Sequence, residues 1–339
     1  LGIAFGFVGV FIQFLSGFPS GMTGFIVYLL GAFVSGFSVC LLNTVVNPML
    51  NLLGGGRNRG NQLNLIGGTL NSLAGTLTPM LVGALIGQVS KSTTMTKVNL
   101  VLYIALAVFA AAFIILSFIP IQDPELGKTD ETTVFEHSPW SFRHFTLGVI
   151  AIFVYVGVET GIPGTLNFYI SDTSASGAWT SAVANAAAIG GFVAGFIADK
   201  ISSRTMMMCA TGLGMVLIIC AILIPKTVTA SMPLFTGTAF KMTTIPLSAV
   251  LLVLCGLCTS IMWASIFNLS TEGLGKYTAQ ASGIFMMMVV GGGVLPLIQN
   301  FIADHAGYMV SYIIPLLAMA YMFVYSAFFS KNVNKDIPV

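Results

Sequence analysis

The sequence predicts an all-α membrane protein of about ten spanning helices set in two bundles, and three observations carry that reading. Of its 339 residues, 56% are hydrophobic and only 7% charged, against about 25% charged in an ordinary soluble domain. With a mean hydropathy of +0.95, such a chain cannot present a wetted surface. The apolar residues form continuous runs rather than alternating every second position, which disfavours a transmembrane β-barrel. A single strongly charged stretch divides those runs four against six.

A helix crossing the hydrocarbon core needs about 20 mostly apolar residues. Ten runs meet or approach that length, at approximately 1–18, 23–50, 62–90, 98–120, 145–171, 177–198, 205–225, 246–268, 279–301 and 308–330. The first is short and opens at Leu1 with no initiator methionine, charged flank or leader layout. The expectation is therefore of a chain truncated at its front.

The charged stretch holds Asp123, Glu125, Lys128, Asp130, Glu131, Glu136, His137, Arg143 and His144. It organises the chain as a first bundle over 1–121, a central loop over 122–144, a second bundle over 145–330 and a tail over 331–339. A charged loop between two apolar blocks is the layout of a two-bundle transporter. If each bundle has six helices, two precede Leu1.

Alternate loops hold Arg57, Arg59, Lys128, Arg143, Lys200, Arg204, Lys276, Lys331 and Lys335, nine basic residues; the opposite loops hold Lys91, Lys97, Lys226 and Lys241, four. The basic excess marks the nine-residue side, with the central loop and the tail, as cytoplasmic. A short internal echo agrees with a repeat about an axis along the membrane normal. Asn47 is followed by Leu53, Gly54 and Arg57, and Asn268 by Leu274, Gly275 and Lys276.

Several function classes fall away. A formal net charge of +2 is too small to argue for nucleic acid. No G-x-x-x-x-G-K-[ST] occurs, which excludes a pump driven by its own ATP hydrolysis. Cys255 and Cys258 make a C-x-x-C inside an apolar run with no second pair or nearby histidine, so they read as small buried hydrophobes. No nucleophile–histidine–acid set and no metal-ligand set appears, so neither an enzyme nor a resident cofactor is expected.

What remains is polar residues inside spans. Charge within the bilayer is expensive and marks function by default. No Asp or Glu occurs from Leu1 to Pro120; Asp172, Asp199, Glu272 and Asp304 sit at span ends, and only Glu159 lies well inside one. It is the candidate coupling group, the alternative being a carboxylate held for structure by neighbouring polar groups. Asn43, Asn47 and Asn51 share one helix face at i, i+4 and i+8, and Asn71, Asn167, Asn185, Asn268, Gln299 and Asn300 follow. Amides donate and accept, which suits a ligand covered in hydroxyls; each could equally bond between helices. Tyr155, Phe168, Tyr169, Trp179 and Trp263 could stack on the apolar face of a sugar ring, or simply pack. Pro48, Pro163 and Pro296 can bend their helices.

The stretch GFIADKISSR, Gly195 to Arg204, resembles the loop signature of the major facilitator superfamily in its second-half copy. NTVVNPMLNLLG (Asn43 to Gly54), YVGVETG (Tyr155 to Gly161) and GLGKYTAQASGIFMMMVVGGGVLPLIQNFIADHAG (Gly273 to Gly307) resemble its fucose–galactose–glucose:cation symporters. The resemblance implies a major facilitator fold of 6+6 helices, alternating access, and uptake of a monosaccharide with a coupling cation, proton or sodium. It implies a monomer in the bacterial inner membrane, with Gly195, Asp199, Lys200 and Arg204 as a cytoplasmic gating motif. Asn43, Asn47, Asn71, Glu159, Trp263 and Asn268 are the expected sugar-binding set. One departure stands out: fucose permeases carry a glutamate where this sequence has Asn43. Coupling then falls to Glu159, to an acid ahead of Leu1, or to sodium. Export of drugs or other small solutes on the same fold, and a sugar receptor that no longer transports, are the rival readings.

Overall fold

A computed structural model describes residues 1–54, 58–86, 95–120, 136–171, 179–198, 200–235, 240–334 and 336–337. The chain runs through α1 (Gly2–Leu15), α2 (Gly21–Leu53), α3 (Asn58–Ile86) and α4 (Met95–Phe118), then α5 (Arg143–Ser171), α6 (Trp179–Ile197) and α7 (Ser203–Leu223). A hairpin of β1 (Thr229–Phe235) and β2 (Phe240–Pro246) leads into α8 (Leu247–Thr271). The last two spans are segmented. One joins α9 (Thr278–Met287) to α10 (Gly291–Ala306) through a 3-10 turn, and the other joins α11 (Tyr308–Ser311) to α12 (Ile313–Val324), ending in a π-helical turn at Tyr325–Phe329.

Among the described residues, eight helical stretches are long and apolar enough to cross a membrane, and two shorter apolar helices, Gly2–Leu15 and Ala182–Ile197, accompany them. The ten runs read from hydropathy are thus all helical, and the chain is a multi-pass membrane protein. The hairpin is an element the sequence reading did not contain. Its strands pair antiparallel with Thr229 opposite Pro246 and Phe235 opposite Phe240.

Two compact units form. One comprises Leu1–Met49 and Leu81–Glu131, the other Leu50–Met80 and Thr132–Val339. This differs from the division at 121 and 145, because residues 50–80 pack with the second block. The reason lies in side chains of α3: Leu65 is buried with Ala194 and Ala198 of the α6 end, Met206 of α7 and Ala264 of α8. Thr69 sits against Gly191, and the Gln62 amide donates to the Gly195 carbonyl at 2.8 Å.

In the first unit, small residues let α1 and α2 approach closely, the usual means of helix association in lipid. Gly9 faces Gly31 and Ser35, and a Cβ at Gly6 would run into the Phe109 ring of α4. Most large side chains of α2 are exposed, as suits a helix whose outer surface meets hydrocarbon. In the second unit the core gathers α5, α7, α8 and α12 around buried aromatic residues, including Tyr155, Tyr169, Phe267, Phe285, Tyr312 and Tyr325. A buried tyrosine needs a partner for its hydroxyl, and here α5 supplies three carbonyls. Tyr312 donates to Ile162 at 3.2 Å, Tyr321 to Leu147 at 2.9 Å and Tyr325 to His144 at 3.1 Å. The last span is thereby pinned to α5 at three levels.

Candidate functional site

The seam between α5 and α10 sets the position of the one acid inside a span. Glycines let the two backbones touch: a Cβ at Gly157 would collide with Leu295, and one at Gly291 with the Phe153 carbonyl. Both helices contain a proline, which removes an N–H from the helical ladder and leaves the carbonyl four residues earlier without its donor. In α10 that carbonyl belongs to Gly292, and the Thr160 hydroxyl of α5 lies 3.1 Å from it. The same hydroxyl lies 2.8 Å from the Val156 carbonyl, so one proton is shared between its own helix and the neighbour. Further along, Thr165 donates to Asn300 Oδ1 at 3.1 Å, and Gln299, also among the amides read from the sequence, is buried against Gly161.

Glu159 lies a little past the midpoint of the 29-residue α5 and is exposed. Pro163 offers no N–H to its carbonyl. Tyr155 stands one turn below on the same helix face, at i relative to i+4. The Tyr155 ring is only 1% exposed and lies 6.1 Å, centroid to centroid, from Trp263 of α8. Trp263 in turn meets Phe285 of α9 edge-on at 6.0 Å, and Phe285 meets Phe267 at 5.2 Å. Trp263 itself is half-buried, leaving part of the indole accessible. An exposed carboxylate thus stands one turn from a buried phenol that packs against a half-buried indole. Such a group can bind hydroxyls through the acid, stack on an apolar ring face, and carry a cation.

The remaining expected residues are distributed. Asn43 and Asn47 belong to the first compact unit, where the Asn47 amide is buried and donates to the Asn43 carbonyl at 3.0 Å. Asn71 is exposed on α3, and no described hydrogen bond ties it to the Glu159 group. Asn268 departs from expectation. Five residues beyond Trp263 on a helix of 3.6 residues per turn it points elsewhere, and its amide donates to Ser203 Oγ at 2.8 Å, tying α8 to the start of α7. Of the aromatic candidates, Tyr169 is buried, with its hydroxyl 3.3 Å from Ser248 Oγ and its ring against Tyr308. Phe168 is exposed, and the side chain of Trp179 lies outside the described residues. Cys255 and Cys258 are buried and free. Among the described residues no three His, Cys, Asp or Glu side chains converge as a metal site would require.

The Gly195 to Arg204 stretch ties together the neighbouring ends of α3, α6, α7 and the last span. Gly195 receives the Gln62 amide of α3. The Lys200 backbone N–H donates to the Ile197 carbonyl at 3.0 Å, completing the turn out of α6. Ser202 caps α7 by accepting from the Thr205 N–H, a typical N-terminal cap. Arg204 donates through Nε to the Ser326 carbonyl at 2.9 Å and through Nη2 to the Ala327 carbonyl. Carbonyls at a helix end lack internal donors, and an arginine satisfies them with favourable charge. Asp199 lies outside the described residues.

A family profile described as Major Facilitator Superfamily matches residues 1–289. The chain belongs to the Major Facilitator Superfamily. It is a transporter and not an enzyme. It is 31% identical to the glucose/galactose transporter of Brucella abortus (strain 9-941), over 89% of this chain and 72% of that protein. It is 29% identical to the putative glucose/galactose transporter of Helicobacter pylori (strain J99), over 96% of this chain and 81% of that one. Its fold superposes on a crystal structure of the Escherichia coli fucose:proton symporter FucP with a TM-score of 0.75 at 17% identity, covering 98% of this chain and 82% of that chain.

The sequence picked out Glu159 and Trp263, and the spacing of Tyr155 and Glu159, at i and i+4, already places them on one helix face. The Gln62, Thr160 and Arg204 contacts carried no such signal, because each depends on which helices are neighbours.

Proposed function

We propose that this transporter imports a monosaccharide of the glucose, galactose and fucose class by cation-coupled symport with alternating access. The observation that carries the reading is the exposed Glu159 carboxylate, one helical turn from Tyr155, whose ring packs against the half-buried Trp263. The names of the similar transporters, two of them for glucose and galactose and one for fucose with a proton, agree with a hydroxyl-rich substrate. In this reading the protein works as a monomer in the inner membrane, with the central segment 122–144 and the tail 331–339 on the cytoplasmic side. Asn43, Asn47 and Asn71 bind sugar hydroxyls, Trp263 stacks on the ring, and Glu159 binds the coupling ion. Gly195, Asp199, Lys200 and Arg204 belong to the cytoplasmic gate.

Coupling requires that the empty carrier and the fully loaded carrier reorient while the half-loaded carrier does not. A carboxylate whose charge depends on the ion sets that bias, because charge is disfavoured in the closed, dry state. The ion is a proton or sodium. The test is uptake of radiolabelled glucose, galactose and fucose into vesicles under separately imposed proton and sodium gradients, for the parent and for Glu159→Gln. The expected result is uptake of at least one sugar under one gradient, and loss of accumulation in Glu159→Gln with binding retained. Uptake of none of the three would overturn the substrate class. Accumulation by Glu159→Gln equal to the parent's would remove Glu159 from coupling.

A further inference from the structure

We propose that the pocket where the start of α5 meets the end of the last span binds the headgroup of an anionic phospholipid, with Arg143 as its phosphate-binding residue. The pocket has a volume of about 470 Å³ and is lined by Trp140, Ser141, Arg143, Thr146, Leu147 and Phe329. A cavity of that size takes a small organic group. It lies at the level of a membrane surface, because Arg143 opens one candidate span and Phe329 closes another. Tryptophan favours that level, with an apolar ring and a polar N–H, and Trp140 is 48% exposed. In the orientation proposed above the leaflet is the cytoplasmic one, whose anionic lipids attract basic side chains.

The walls of the pocket are fixed from behind. The Trp140 ring meets the buried Phe145 edge-on at 5.9 Å, and the Trp140 carbonyl accepts from the Thr146 hydroxyl at 3.0 Å. The Leu147 carbonyl accepts from Tyr321, and Phe329 packs on the core of the second unit. Arg143 is held at both ends. Its backbone N–H donates to Asn334 Oδ1 at 3.0 Å, and its guanidinium carbon lies 4.8 Å from the centroid of the Phe329 ring. A guanidinium set over a ring keeps N–H donors for an anion and matches a phosphate bidentately. Among the described residues no hydrogen bond and no carboxylate engages that guanidinium. Arg204 differs, since its donors go to the Ser326 and Ala327 carbonyls. Around the Arg143 charge the indole, Leu147 and Phe329 are apolar, which suits the glycerol and first acyl carbons of a lipid better than a free phosphate.

The experiment is native mass spectrometry of the complete protein in detergent, titrated with phosphatidylglycerol or with phosphatidylcholine. The parent should hold one phosphatidylglycerol in clear preference to phosphatidylcholine. Arg143→Gln should weaken phosphatidylglycerol binding roughly tenfold or more, as loss of hydrogen bonds to a charged group implies, and leave phosphatidylcholine binding unchanged. Ser141→Glu, at an exposed lining position, sets a like charge beside the phosphate and should weaken the anionic lipid similarly without disturbing the contact of Arg143 with Phe329. Lys331→Gln removes an exposed basic residue just beyond the last span and outside the pocket lining. It should leave the titration at the parent's values.

Equal affinity of the parent for the two lipids would overturn the proposal, as would parent-like phosphatidylglycerol binding in Arg143→Gln or in Ser141→Glu. An equal fall in Lys331→Gln would overturn it too, since the effect would then belong to the general charge of that face. Displacement of phosphatidylglycerol by inorganic phosphate at comparable concentration would make this a site for a soluble anion, and the lipid assignment would fail. If Arg143→Gln does not reach the membrane, Ser141→Glu decides between the same outcomes. The readout involves neither sugar nor coupling ion, so a failure here leaves the proposed transport standing.

Discussion

Helices α2 and α5 share a description: each is long and apolar, contains one proline, and carries polar residues that the sequence singles out. Their surroundings differ. In α2 two described bonds run to the helix's own backbone, from Asn47 to the Asn43 carbonyl and from Thr44 to the Cys40 carbonyl at 2.7 Å. In α5 they reach other helices. Thr160 approaches the Gly292 carbonyl, Thr165 bonds Asn300, and three tyrosines of the last span fasten α5 carbonyls. Polar residues in an apolar helix therefore signal two different things. Where they reach a neighbouring helix they build a scaffold, and where they turn back they satisfy carbonyls of their own helix.

If that contrast is right, substitutions on the α5 seam act on stability and those on α2 act on substrate. The largest effect is expected from Gly291→Val, because even a Cβ there strikes the Phe153 carbonyl. Overpacking a tight contact costs about 1–3 kcal/mol, and backbone offers no rotamer to move aside; thermal unfolding in detergent should show a fall at or above the upper end. A parent-like melting temperature would break the comparison at its strongest point. Thr160→Val should cost about 1 kcal/mol, since the Gly292 carbonyl loses its substitute donor while side-chain volume is kept. The same melting assay reads it. Asn47→Ala should have the smallest effect on stability, below about 1 kcal/mol, the ordinary worth of a side-chain hydrogen bond in lipid. Its effect should appear instead as a raised KM for sugar uptake. A drop in stability matching that of Thr160→Val would erase the distinction between the two helices.

Hydropathy is a local property, which is why all ten helices could be read from single runs, down to the short α1 and α6. The hairpin could not. Its residues lie between two runs, with Lys226 just ahead of it and Lys241 within it, and Pro233 and Pro246 argue against a strand in a sheet interior. In a two-stranded ribbon each strand keeps one open edge, so a proline can turn its missing N–H outward. Glu159 stood out because no other acid lies well inside a span, an observation that needs no tertiary knowledge. Asn268 carries the opposite lesson: its spacing from Trp263 was legible, but the proximity of Ser203 was not. Residues 50–80 likewise joined the second unit because Leu65 and Gln62 found partners on α6, α7 and α8, which a count of loops does not reveal.

The proline of α5 has a mechanical side. Below it, Tyr325 and Tyr321 clasp the His144 and Leu147 carbonyls; above it, Thr165 and Tyr169 hold to Asn300 and Ser248. Between those anchorages the ladder lacks the rung that Pro163 would have made with Glu159. A helix missing a rung bends there without breaking a bond. The acid thus sits between two arms of α5, the lower clasped by the last span and the upper by Asn300 and Ser248, with α10 packed along both. Any motion that tilts one arm against the other turns about Glu159, so the residue proposed to sense the ion also stands at the hinge that would carry the answer to the rest of the protein.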